Sequence, residues 1–157
     1  MAPLAARSSQ FRIDWVLRGQ LALGPAPQRP EHLIELEQQG IGSVLSLCSS
    51  EEWPAPSGLE QCFAWVRHPL PDHHSGRYPT LEELESALAA AARLRELGRP
   101  LYVHCMAAME RSPLLCLAWL IRHRGLSRIQ SLDYLMQVHP GTSPLAGQLS
   151  LLDQLSQ

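Results

Sequence analysis

The chain has 157 residues, 45% of them apolar, and a formal net charge of −2. That length can bury one core without disulfides or a structural metal, and the apolar content is too high for a disordered segment. The charge balance lacks the basic face of a nucleic-acid binder, and the longest strictly apolar run, Leu114 to Ile121, is far short of a membrane span.

All thirteen basic residues are arginine, a bias that carries no functional weight. Cys48, Cys62, Cys105 and Cys116 show neither CxxC pairing nor metal-ligand spacing, so free thiols in a reducing compartment are expected. No apolar stretch follows Met1, so no secretory signal is expected and a cytoplasmic protein is the reading.

Residues 1–10 read as a flexible tail and 11–157 as a single domain. Two short strand-like runs, Phe11 to Arg18 and Gln20 to Leu23, end at the Gly24-Pro-Ala-Pro27 turn. Pro30 opens a helical stretch closed by Gly40, and Ile41 to Leu47 is a buried strand candidate. A Pro-rich loop runs through Gly58, then Cys62 to Arg67 reads as a strand entering the loop His68 to Gly76. Thr80-Leu-Glu-Glu83 is a capping box opening a helix with Leu81, Leu84, Leu88, Ala91 and Leu94 at helical period. Gly98-Arg-Pro100 ends it, and Leu101 to His104 is a short strand aimed at Cys105. Three helices follow, at 113–124, 127–138 (capped by Ser127 and Gln130) and 144–156. Strands alternating with helices, then a helical C-terminal half, predict an α/β fold with a central mixed sheet flanked by helices. Cys62, Cys116 and Trp119 are assigned to its core.

The chemistry lies in Val103-His-Cys-Met-Ala-Ala-Met-Glu-Arg-Ser112, a His-Cys-x5-Arg-Ser segment between a strand and a helix. Composition alone yields roughly 0.0014 matches to that pattern, before any demand on its structural context. Five residues between Cys and Arg can curl into a cradle of backbone N–H groups around a phosphate, through Met106, Ala107, Ala108, Met109 and Glu110. The helix opening near Ser112 adds its N-terminal dipole. The same features favour a thiolate, so Cys105 is the expected nucleophile. Arg111 offers a planar fork to two phosphoryl oxygens, and Ser112 can donate a hydrogen bond to the departing sulfur. His104 is read as a structural support bonded to the loop backbone.

With these residues in view the chain resembles the tyrosine-phosphatase superfamily, and in particular its small atypical dual-specificity members. The resemblance rests on the Cys-x5-Arg-Ser loop and on Pro71-Asp72, which lies 33 residues before Cys105. It extends to the segments Asp14 to Leu23, Tyr78 to Leu84 and Val138 to Pro144, roughly residues 11 to 155. It implies a phosphocysteine intermediate, Asp72 as general acid, no metal and no cofactor. Two positions depart from the pattern: the family's loop glycine falls on Ala108, and Glu110 stands where a small residue is usual. Alanine costs energy wherever positive φ is needed, and an acidic side chain must turn away from a phosphate. Loops with such features also resemble those of the cell-cycle phosphatases of rhodanese-like fold, so Glu110 is expected to point outward.

His73 and His74 follow Asp72, but no partner carboxylate or cysteine is recognised at metal-ligand spacing, so they are expected at the rim of the site. Cys48 is a candidate redox partner for Cys105, by similarity to superfamily members with a cysteine in that region, set against a plain core thiol. The expected substrate is phosphotyrosine, and also phosphoserine or phosphothreonine, in a protein or peptide acted on by a monomer. The loop interior has no lysine or arginine for a polyphosphorylated headgroup. The competing readings are a pseudophosphatase that binds phosphorylated ligands and another thiolate enzyme, such as an arsenate reductase or rhodanese-like sulfurtransferase.

Overall fold

The computed structural model describes residues 10–155; most of the predicted N-terminal tail lies outside them. Five short strands form one sheet: β1 (Asp14–Leu17), β2 (Leu21–Gly24), β3 (Ser43–Ser46), β4 (Ala64–Arg67) and β5 (Leu101–His104), in the order β1-β2-β5-β3-β4. β1 runs antiparallel to β2 with a register shift between Trp15 and Leu17, and every other pairing is parallel. The sheet is therefore mixed and flanked by helices, as expected. β5 lies at its centre with all four residues buried, which is why Leu101-Tyr-Val-His104 reads as apolar rather than alternating.

The helices are α1 (Pro30–Gln38), α2 (Leu59–Cys62), α3 (Leu81–Arg95), α4 (Arg111–Arg124), α5 (Arg128–Val138) and α6 (Ala146–Leu152). Both expected capping boxes are present: Thr80 and Glu83 exchange hydrogen bonds at the start of α3, as do Ser127 and Gln130 at α5. α4 is buried continuously from Arg111 to Ile121 and contacts β2, β5, α3, α5 and α6. A helix buried on all sides must be apolar all round, and shortening a side chain such as Leu117 to alanine costs about 2–5 kcal/mol. No helix among the described residues is long and apolar enough to cross a membrane.

Besides shifts of one to three residues at several strand and helix ends, three boundaries differ from expectation in ways that bear on the packing. α4 begins two residues early, at Arg111, with Pro113 inside its first turn; the missing proline N–H is harmless there because first-turn N–H groups lack intrahelical acceptors. The predicted strand from Cys62 starts only at Ala64, because Gly58 at φ 97° turns the chain into α2 first. Cys62 is consequently exposed and not a core residue, whereas Cys116 and Trp119 are buried. The last helix, expected over 144–156, spans Ala146–Leu152 and has ended by Asp153; position 156 lies outside the described residues.

Gly24 ends β2 where the backbone passes beneath a buried tyrosine. A Cβ there would lie 2.2 Å from the Arg12 carbonyl oxygen and 2.4 Å from the Tyr102 hydroxyl, which itself donates to the Pro25 carbonyl at 2.6 Å. The turn after β2 is thereby held against the C-terminal end of β5, where the chemistry-bearing loop begins.

Candidate active site

In a parallel sheet the loops beyond the carboxyl ends of the strands form the natural crevice. Cys105 follows β5 directly, and residues 105–110 close the gap to α4. The carbonyls of this loop are tied to the scaffold one by one. Cys105 O accepts from His104 Nδ1 (2.9 Å), Met106 O from Ala26 N (3.0 Å), Ala108 O from His139 Nε2 (2.6 Å), and Met109 O from Ser143 N (2.8 Å). Carbonyls drawn outward in this way turn the intervening N–H groups to the inside, the arrangement of an anion cradle. Ala108 sits at φ 60°, the one non-glycine residue with positive φ among those described. The left-handed conformation costs a non-glycine residue about 1–2 kcal/mol.

Cys105 is 3% exposed and its Sγ lies 3.3 Å from Ser112 Oγ. Arg111, 4% exposed, binds the Leu47 and Leu70 carbonyls through Nη1 (both 3.2 Å) and grips Glu52 with Nη1 (3.1 Å) and Nη2 (2.9 Å). Burial opposes both charges, but the paired hydrogen bonds outweigh it. Glu52 is held below the ordinary carboxylate range and Arg111 above the ordinary guanidinium range. Glu52 has no place in the sequence reading. A signal for it existed, because Ser49-Ser-Glu-Glu52 is a capping-box pattern. Ser49 N donates to Glu52 Oε2 (2.9 Å) and Glu52 N to Ser49 Oγ (3.2 Å). No helix follows, so the pattern serves a turn that presents a carboxylate to Arg111.

His104 is completely buried, and its two nitrogens have different partners. Trp65 Nε1 donates to Ser46 Oγ (2.8 Å), which leaves the serine proton for His104 Nε2 (2.5 Å), while His104 Nδ1 donates to Cys105 O. Every member of this relay is satisfied only by a neutral imidazole protonated at Nδ1. Burial pushes the group down to about 4, with the bond to Cys105 opposing.

A cavity of about 880 Å³ opens over the cradle. Met106, Ala107, Met109, Glu110 and Arg111 line it together with Cys105, Glu52 and the 69–75 loop. Ala108, expected to contribute a backbone N–H, has its side chain turned inward, at 1% exposure. Its positive φ and its tie to His139 account for that turn into the protein. Asp72 reaches to 3.9 Å from Arg111 Nη2, while its Oδ1 accepts from His74 N (3.0 Å) to cap the short 3-10 turn His73–Ser75. Glu110, expected to point outward, is among the residues lining the cavity, and its carboxylate is tied up by His73 Nδ1 and by Gln148 Nε2 (3.2 Å). His73 and His74 are exposed at the rim. The turn also brings one ligand atom each of Asp72, His73 and His74 within 4.8 Å of one another, so the carboxylate discounted as a partner for the two histidines is their sequence neighbour Asp72. Cys48 is fully buried, and burial pushes its thiol up to about 12.

Residues 23–157 match the family described as dual specificity phosphatase, catalytic domain. The chain belongs to that family. It is 24% identical over 149 residues to phosphatidylglycerophosphate phosphatase PTPMT2 of Arabidopsis thaliana, covering 95% of this chain and 65% of that protein. It is 27% identical to human dual specificity phosphatase 28, covering 77% of this chain and 68% of the other. The crystal structure of Tk-PTP in the active form superposes with a TM-score of 0.78 at 24% identity, over 91% of this chain and 95% of that one, which shows a shared fold.

Proposed function

We propose that this chain is a cysteine-dependent phosphatase that hydrolyses phosphotyrosine, and in second place phosphoserine or phosphothreonine, through a phosphocysteine intermediate. The observation that carries the reading is the juxtaposition at one cradle of Cys105, Arg111 and Asp72, the last two 3.9 Å apart, with Ser112 Oγ 3.3 Å from Sγ.

The Cys105 thiolate attacks phosphorus, the bond to the leaving oxygen breaks, and Asp72 gives that oxygen its proton. Water then attacks the phosphocysteine, Asp72 takes the proton, and sulfur departs with a hydrogen bond from Ser112. The inward N–H groups and Arg111 meet the charge on the equatorial oxygens. Glu52 and the two backbone carbonyls occupy Nη1 and one N–H of Nη2, leaving the Nε–H and the second Nη2–H for the phosphoryl group.

The charge lining the cavity supports a monophosphate. Glu52, Asp72, Glu83 and Glu110 face two arginines, and Arg77 is itself paired with Glu83 at 2.7 Å. A lipid with a second phosphate, the class named in PTPMT2, would meet no further arginine among the described residues that line the cavity. The deciding assay compares native protein with Cys105→Ser on p-nitrophenyl phosphate, with reductant and EDTA. It then compares kcat/KM on a phosphotyrosine peptide and on phosphatidylglycerophosphate. Turnover lost in the variant and higher on the peptide is expected. Equal turnover in both proteins overturns the mechanism, higher turnover on the lipid overturns the substrate, and tight phosphopeptide binding with no turnover makes the chain a pseudophosphatase.

A further inference from the structure

Behind the cradle lies a histidine that no step of the proposed reaction uses. His139, 1% exposed, sits just past the C-terminal end of α5. Its Nδ1 is 2.6 Å from Asp14 Oδ2 at the start of β1, and its Nε2 is 2.6 Å from the carbonyl oxygen of Ala108. A carboxylate and a carbonyl are both acceptors, so a neutral ring, with one N–H, could satisfy only one of them. The arrangement is complete when both nitrogens carry protons and Asp14 supplies the balancing charge. Asp14 is steadied in turn by Arg12 Nε at 3.0 Å.

The residue gripped is the strained one. Ala108 holds φ 60° without the freedom of glycine, and its relaxation would swing a peptide plane of the cradle. The next carbonyl, of Met109, is held from the same C-terminal segment by Ser143 N at 2.8 Å. We infer that the Asp14–His139 pair is a positioning device: it holds Ala108 in the left-handed conformation and so keeps the anion cradle formed despite the missing glycine. The inference concerns the phosphate site proposed above and rests on that assignment, but it is read out by anion binding as well as by turnover.

Tungstate affinity by calorimetry, kcat and KM on p-nitrophenyl phosphate, and thermal melting are measured for the native protein, Ala108→Gly, His139→Gln and the double variant. His139→Gln is expected to weaken tungstate binding by about tenfold or more and to lower kcat more than it raises KM. In the Ala108→Gly background, where the left-handed turn no longer needs enforcing, the same change is expected to cost less than about threefold. His139→Arg, which restores two donors, should recover most of the loss. Asp14→Asn provides a second route if His139→Gln fails to fold, with an intermediate loss again relieved by Ala108→Gly. Equal losses in both backgrounds, or unaltered tungstate binding in folded His139→Gln, overturn the inference. Native tungstate binding with the expected coupling but no turnover would instead sink the phosphatase reading and leave the positioning role intact.

Discussion

Both carboxylate oxygens of Glu52 lie on Arg111, one 2.9 Å from Nη2 and the other 3.1 Å from Nη1. The pair joins the turn after β3 to the first residue of α4, 59 positions later in the chain. It fixes the plane of the guanidinium that the proposed reaction would turn toward the phosphoryl group. Glu52→Gln keeps the shape but removes the charge and one acceptor. It is expected to lower kcat/KM for p-nitrophenyl phosphate by about 10- to 100-fold, the scale of loss for a misplaced clamp. An unaltered kcat/KM would mean that the Leu47 and Leu70 carbonyls orient Arg111 without it.

The role of Asp72 can be separated from mere charge by varying the leaving group. Phenolate needs its proton more than p-nitrophenolate does, so a lost general acid should hurt phenyl phosphate more. Asp72→Asn is expected to lower kcat on phenyl phosphate by about 10²- to 10⁴-fold and on p-nitrophenyl phosphate by clearly less. Equal losses on the two substrates would place Asp72 outside proton transfer to the leaving oxygen.

His104 gives the fold a defined acid sensitivity. Its folded-state value of about 4 lies below the ordinary 6.5, so the unfolded chain binds the proton more tightly. The stability contributed by the neutral ring is complete above about pH 6.5 and is lost as pH falls through about 4, by up to about 3 kcal/mol. Protonation would set Nε2–H against the Ser46 hydroxyl proton and break the relay to Trp65. Urea midpoints from pH 7 to pH 4 should fall steeply for native protein. They should fall less steeply for His104→Asn, whose amide nitrogen stands in for Nδ1. Identical slopes would assign the acid loss to other groups.

Cys48 is the candidate redox partner of Cys105, and its environment argues for a slow one. With its thiol pushed up to about 12 by burial, almost no thiolate is present at neutral pH to attack an oxidised Cys105. Brief peroxide treatment should therefore yield oxo-acids of Cys105 rather than a Cys48–Cys105 disulfide, as read by peptide mass spectrometry without reduction. That disulfide as the major product would restore the resolving role.

Much of the molecule was legible in its residues. Two S/T-x-x-E/Q boxes, at Thr80 and Ser127, announce helix starts through contacts made within four residues, whereas the same pattern at Ser49 closes a turn with no helix after it. The all-apolar run Leu114 to Ile121 announces a helix with no solvent face. Cys105, Arg111 and Ser112 are legible together because their spacing within one strand–loop–helix segment is itself the geometry. Local chemistry acts over short chain separations, and linear order encodes it directly.

Tertiary structure decided what lies across long separations. Nothing in the order of residues pairs Glu52 with Arg111, or brings Asp14 and Ala108 to opposite sides of the His139 ring, 125 and 31 positions away. The same holds for Glu110, whose partners His73 and Gln148 come from two other segments and place it on the cavity wall. The exposure of Cys62 followed from one left-handed glycine, Gly58, that turned an expected strand start into a helix end. Charges and buried polar groups find partners wherever packing brings them within about 3 Å, and that proximity comes from the fold rather than from the order of residues.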